Sequence, residues 1–226
     1  MSAQPKYPHL IVQKYGGATL ADPQKIIAVA KRIAELARDG SQVIVVVSAM
    51  GKTTNQLIDL AHQVSPTPHR RELDMLLTVG ERISMSLLSM ALNDCQVQAI
   101  SFTGSQAGIF TNDSHVNAFI QDVKPFRVEE ALDQGKVVVL AGFQGVSPVT
   151  KEITTLGRGG SDTSAVAMAA HFQAERCEIL KDVPAIFTAD PNLVPMAQPL
   201  IELNYDQLLE MTFWGAKVLH YRSVEL

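Results

Sequence analysis

Short apolar runs alternate along the chain with longer segments in which apolar residues recur every three or four positions. Residues 10–15 read as a strand that runs into Gly16-Gly17. Asp22-Pro23 then caps and starts a helix whose inner face carries Ile26, Ala30, Ile33 and Ala37, and Gly40 closes it. Residues 42–48 form a continuous apolar run, the pattern of a parallel strand covered on both faces. Thr53 or Thr54 is expected to cap a helix with Leu57, Ile58 and Ala61. After a proline-rich hinge at Ser65-Pro66-Thr67-Pro68, a long helix is expected to bury Leu73, Leu76, Leu77, Ile83, Leu87 and Ala91. Residues 97–102, 136–141 and 177–180 predict further strands, 145–155 a small antiparallel excursion, 161–172 a helix, and 214–224 a helix-like segment. Met75, Met85, Met90 and Met168, at helical spacing, read as core filler. Strands alternating with helices predict a parallel sheet between helical layers, and no repeat or linker forces a second domain.

Composition narrows the chemistry. With 226 residues, 46% hydrophobic and 19% charged, the chain has the make-up of a soluble globular protein. Its net charge of −4 gives no electrostatic case for nucleic acid or an anionic membrane surface, so an acidic ligand must be met by local cations. Cys95 and Cys177 alone supply neither a disulfide framework nor a zinc pattern, which suits a reducing, cytoplasmic setting. The first nine residues lack an apolar signal core, and no stretch is expected to reach the apolar length that crosses a bilayer.

The run Leu156-Gly157-Arg158-Gly159-Gly160-Ser161-Asp162-Thr163-Ser164 sets three glycines, a cation and a carboxylate at a loop-to-helix junction. The following helix would turn its free N–H groups toward the loop, and Arg158 could clamp a carboxylate or phosphate with two parallel bonds. A glycine-rich turn with Ser161 or Asp162 as helix N-cap accounts for the same residues without a ligand. Two nucleotide signatures are excluded. Gly51-Lys52-Thr53 resembles the end of a P-loop, but Val46 stands where its first glycine belongs; Asp162 takes the third-glycine place of a dinucleotide fingerprint. Lys14-Tyr15-Gly16-Gly17 leaves a strand end, where α/β sheets place ligands, and its lysine suits the oxygens of a polyphosphate; a strand-end lysine reaching out to solvent accounts for it as well. Residues 48–55 repeat that geometry with hydroxyls, Glu81 interrupts an apolar helix, and 182–191 is a turn-rich loop. The six histidines show no metal spacing, and no metal site is expected.

Taken in order, these segments resemble the catalytic domain of aspartokinases, members of the amino acid kinase family. The resemblance rests on Lys14-Tyr15-Gly16-Gly17, the 47–55 run, Glu72 to Glu81 with its Val79-Gly80-Glu81, Thr103 to Gly108, Ala141-Gly142-Phe143-Gln144-Gly145, the 153–162 run, Thr188-Ala189-Asp190-Pro191 and Gly215-Ala216-Lys217-Val218-Leu219-His220. It implies a three-layer α/β/α sandwich around a mainly parallel sheet, with residues 1–9 as a tail and 10–226 as the kinase domain. It also implies ATP- and Mg²⁺-dependent phosphorylation of the side-chain carboxylate of L-aspartate, giving 4-phospho-L-aspartate for lysine, threonine and methionine synthesis. By resemblance Arg158 would clamp the α-carboxylate and Glu81 the amino group, with Ser48, Thr54, Phe143 and Ser161 completing the pocket. Lys14 would neutralise the transferring phosphate, and Asp162 would orient Lys14. Gly16, Gly17, Lys181, Asp182, Phe187 and Lys217 would hold the nucleotide. The acceptor is already an anion, so positioning and charge neutralisation would suffice without a general base.

Several places depart from the family pattern: Ala18-Thr19 replaces Thr-Ser, Lys181, Phe187 and Asn192 alter the nucleotide loop, and Tyr221 replaces a proline. The family adds a closing strand and regulatory domains after the equivalent of Leu226, so the chain is expected to be C-terminally truncated. A bare strand edge at the C-terminal side would favour a homo-oligomer or association with a longer chain. Two other readings remain: a non-catalytic truncated domain that binds aspartate or a partner chain, and an enzyme of the same fold with another acceptor.

Overall fold

The apolar runs pair into one parallel sheet in the computed structural model, which describes residues 5–216 and 218–226. The chain begins with β1 (Leu10–Tyr15), α1 (Pro23–Arg38), β2 (Gln42–Val47), α2 (Thr53–Val64), α3 (Arg70–Leu77), α4 (Val79–Asp94) and β3 (Ala99–Phe102). There follow β4 (Ile109–Thr111), β5 (Ile120–Val123), α5 (Phe126–Asp133), β6 (Val137–Ala141), β7 (Gln144–Val146) and β8 (Ile153–Thr155). The last part holds α6 (Gly160–Phe172), β9 (Arg176–Leu180), β10 (Ile186–Phe187), β11 (Pro199–Leu200), α7 (Tyr205–Phe213) and α8 (Tyr221–Glu225).

The main sheet has the order β3-β6-β2-β1-β9, and its pairings are all parallel. Strand β2 after Gln42 and the whole of β6 are apolar because helices cover both of their faces. On one face Ile26, Ile33, Leu88 and Leu92 of α1 and α4 pack on Val43, Val45 and Val139. On the other, Val128, Leu132, Met168 and Phe172 of α5 and α6 pack on Leu10, Val12 and Ile44. The result is the expected three-layer α/β/α arrangement. A second sheet, β5-β4-β7-β8, contains the expected antiparallel excursion as β7 and β8, together with a β4–β5 hairpin that no sequence pattern announced.

The long helix differs from its prediction. α3 and α4 continue one another through Thr78, and the inward positions are Asp74, Leu77, Gly80, Glu81, Ser84, Met85, Leu88 and Leu92. Ile83 and Leu87, expected inside, are exposed, as are Met75 and Met90; Met85 and Met168 are core residues as expected. A Cβ on Gly80 would stand 2.7 Å from the Ala49 Cβ, so the helix lies too close to the segment after β2 for large side chains there. Arg70–Asp94 also reaches membrane-spanning length and apolarity, contrary to the sequence expectation, yet half of its most apolar window is buried within the fold and Glu81 faces inward.

Capping is partly as read. Asp22 accepts the Lys25 N–H at 2.9 Å and Pro23 opens α1. At α2 the cap position is Lys52 rather than Thr53 or Thr54, and the Thr53 hydroxyl donates to the Met50 carbonyl at 2.6 Å. At α6 it is Gly159, with φ of 74°, so Ser161 and Asp162 lie inside the first turn. Among the described residues of the 214–224 segment only those of α8 are helical, and Trp214 ends α7.

Candidate active site

Because the main-sheet strands are parallel, β1, β2, β6 and β9 deliver Tyr15, Val47, Ala141 and Leu180 to one edge, where the turns after them converge. Alternation along β1 sends Leu10, Val12 and Lys14 to the α6 side. Lys14 is 6% exposed, and its Nζ lies 2.6 Å from Oδ1 of Asp162 in the first turn of α6. Lys181, at the end of β9, donates to the other oxygen of Asp162 at 3.1 Å and to the Val218 carbonyl. Two ammonium groups thus share one carboxylate beside a helix N-terminus, which leaves a net positive charge where an anion would sit.

Glu81 sits across the cavity. It is 3% exposed, its Oε1 accepts the Ala49 N–H at 3.0 Å, and its Oε2 is buried with no partner among the described residues. Burial pushes its pKa up to about 7, against the lowering effect of the Ala49 N–H. Gly17 brings the turns after β1 and β2 together: its carbonyl accepts the Gly51 N–H at 2.9 Å, and a Cβ there would stand 2.7 Å from the Ala49 oxygen. Phe143 takes φ of 69°, held by its N–H to Ser164 Oγ at 3.1 Å and its carbonyl to the Leu156 N–H at 2.8 Å.

These elements enclose a cavity of about 650 Å³, ample for a small metabolite. Of the residues singled out from sequence, Lys14, Gly17, Ser48, Thr54, Glu81, Phe143, Arg158, Ser161 and Asp162 line it. Arg158 is exposed and makes no ion pair among the described residues, so its guanidinium is available. Gly16, Asp182 and Phe187 do not line the cavity: Gly16 donates to the Leu180 carbonyl, Asp182 is exposed, and Phe187 lies half-buried in β10. Lys181 reaches the site only through Asp162, and Lys217 lies outside the described residues. Val116 and Asn117 also line the cavity, and sequence reasoning missed them because the polar 112–117 stretch reads as an ordinary turn. Among the described residues no cluster of three or more His, Cys, Asp or Glu could hold a metal ion.

Comparison with known proteins points the same way. Residues 9–226 match the sequence model of the amino acid kinase family. The aspartokinase of Mycolicibacterium smegmatis is 57% identical over 216 residues, which cover 96% of this chain and 51% of that one. Among solved structures, aspartate kinase from Synechocystis matches with a TM-score of 0.83 and 53% identity over 96% of this chain and 35% of its own. Aspartokinase III of E. coli, in complex with aspartate and ADP, matches with a TM-score of 0.85 and 26% identity over 95% of this chain and 58% of its own. The chain spans about half the length of the curated relatives it matches.

Proposed function

From the premise that this chain belongs to the amino acid kinase family, we propose that its pocket binds L-aspartate and that residues 10–226 act as an aspartate kinase domain. The reaction would move the γ-phosphoryl group of ATP to the side-chain carboxylate, giving 4-phospho-L-aspartate, in the cytoplasm, as the entry to lysine, threonine and methionine synthesis. One observation carries the reading: Glu81, whose buried Oε2 has no partner among the described residues, lines the same cavity as Arg158. A free α-amino acid needs that pair, a carboxylate for its ammonium and a fork-shaped cation for its carboxylate. An acetylated or nucleotide acceptor would leave Glu81 unmatched, which weighs against other acceptors. The complex of E. coli aspartokinase III with aspartate and ADP lends further support.

Ser48, Thr54, Phe143 and Ser161 would shape the wall around the amino acid. Lys14, held by Asp162, would meet the negative charge that grows on the transferring group; no base is required, because the attacking oxygen is already anionic. On the nucleotide side we assign Gly16, Gly17, Lys181, Asp182, Phe187 and Lys217. Mg²⁺, when bound, would supply charge neutralisation on the triphosphate; with Asp162 engaged by two ammonium groups, its ligands would be chiefly phosphate and water oxygens. A second reading, a non-catalytic domain that binds aspartate or a partner chain, draws support from Asp182 and Phe187 lying away from the cavity. Strand β9, paired only with β1 among the described residues, is an edge through which a second or longer chain could associate.

The test is a hydroxylamine trap: an acyl phosphate formed from aspartate, ATP and Mg²⁺ is captured as aspartate hydroxamate. Hydroxamate that depends on all three supports the kinase. Aspartate binding without hydroxamate supports the non-catalytic reading; no aspartate binding removes the kinase and leaves only a domain that binds a partner chain.

A further inference from the structure

Asp74 has no place in the scheme above, yet it is the most thoroughly enclosed carboxylate near the pocket. It lies on α3 with no solvent exposure. Its Oδ1 accepts the Thr155 hydroxyl at 2.6 Å and the Val116 N–H at 3.0 Å; its Oδ2 lies 3.2 Å from the same N–H and 2.7 Å from His115 Nδ1. A buried carboxylate is tolerated when donors surround it, and here those donors come from two separate segments. One is the cavity wall at Val116 and Asn117; the other is the end of β8, three residues before Arg158.

The two segments are also joined directly. The Ala118 N–H donates to the Thr155 carbonyl at 2.8 Å, and a Cβ on Gly157 would stand 2.7 Å from Asn117 Oδ1 and 3.1 Å from the Val116 oxygen. Val116 itself has φ of 70°, a left-handed conformation that a β-branched residue adopts only when its surroundings impose it. The bonds from its N–H to Asp74 are the contacts made by Val116 itself, beside the Ala118–Thr155 bond and the Arg222 guanidinium, which donates to Asn117 Oδ1 at 2.9 Å.

Resting on the aspartate-binding reading, we propose that Asp74 is a positioning residue: by holding Val116 in its strained conformation and Thr155 at the end of β8, it fixes the loop that carries Arg158. Its removal acts on the amino acid and spares the nucleotide. In the Asp74→Asn variant, aspartate affinity is expected to fall by about tenfold, the scale of a small misplacement of a binding group. Affinity for ATP with Mg²⁺ should stay within about twofold, since that side of the site does not touch Asp74.

Strain supplies the readout that a general loss of stability would not give. Glycine takes positive φ without penalty, so adding Val116→Gly to Asp74→Asn should restore much of the lost aspartate affinity. Amide exchange in the ligand-free chain tests the anchoring by itself, with faster exchange at Val116 and Ala118 expected in Asp74→Asn. If that variant does not fold, Thr155→Val removes one bond to Asp74 and should still weaken aspartate binding, by about threefold for one hydrogen bond. Should the unaltered chain bind no aspartate, the functional reading fails, while the exchange result still decides the anchoring. Should it bind aspartate and folded Asp74→Asn bind equally well, or lose ATP affinity in equal measure, or gain nothing from Val116→Gly, the positioning role is wrong.

Discussion

The cavity wall around Glu81, Lys14 and Asp162 and the segment from β10 to α7 are built in opposite ways. Around Glu81, Lys14 and Asp162 each functional group projects from a strand or helix of the three-layer core, and all three are buried. Beyond Leu180 the chain forms a two-strand ribbon, β10 with β11, and two short helices, and large apolar residues stand in solvent: Leu193 is 79% exposed, Met196 83% and Trp214 78%. The contrast separates two sources of order. The first region is held by long-range packing that also fixes its charges; in the second, β10, β11 and α7 rest chiefly on local turns and caps such as the Asn204–Gln207 capping box, and only α8 returns to the core, where the Arg222 guanidinium donates to Asn117 Oδ1 at 2.9 Å. Chemistry that needs groups fixed to a fraction of an ångström belongs on the first.

The comparison can be broken by substitution. On the proposed role for Lys14, Lys14→Ala should lower kcat by about 10³-fold with a much smaller change in the KM for aspartate, as expected of a charge that acts mainly in the transition state. A change confined to KM would make Lys14 a binding group only. Leu88→Ala, in the core beneath the site, should cost about 2–5 kcal/mol in denaturant unfolding, whereas Trp214→Ala should cost less than about 0.5 kcal/mol. Equal costs would show that the segment after β9 is as firmly packed as the core.

Glu81→Gln should affect both function and stability. Since the folded-state pKa of about 7 lies above the ordinary 4.5, the folded chain holds a proton that the unfolded chain releases first. The charged carboxylate therefore costs stability, a cost absent below pH 4.5 and complete above pH 7. At pH 8 the glutamine variant should be more stable by up to about 3 kcal/mol, the order of magnitude that linkage gives such a shift, and it should bind aspartate more weakly. In the unaltered chain, aspartate affinity should fall by up to about tenfold per unit as pH drops below 7; a flat profile would mean that Glu81 does not meet the ammonium. A smaller effect is expected for Arg158→Lys, which should weaken aspartate binding by about 1.5–3 kcal/mol through loss of the bidentate geometry. Calorimetry showing unchanged affinity would place Arg158 outside the site.

Much of the core was legible because unbroken apolar runs have few alternatives: β1, β2, β6 and β9 lie within a residue or two of their predicted bounds. The glycine loop and Lys14 were legible as cavity residues only taken in order with the other segments, because a glycine-rich turn and a strand-end lysine each have an ordinary reading without a ligand. The α3–α4 face was not, since an apolar stripe normally marks the buried side and here Ile83 and Leu87 lie outside while Gly80 and Ser84 pack inside. Asp74 and Asn117 escaped for a related reason: an acid on a helix and an asparagine in a polar turn read as solvated until tertiary contacts surround them.

The most direct test of the pocket is a calorimetric titration at pH 8 with L-aspartate and, separately, N-acetyl-L-aspartate, which keeps both carboxylates and lacks the ammonium. L-Aspartate should bind and the acetylated compound should bind at least about 100-fold more weakly, since it strands the buried Glu81 carboxylate. Equal affinity for the two, or no binding of L-aspartate, would contradict the assignment of Glu81 and Arg158 to a free amino acid.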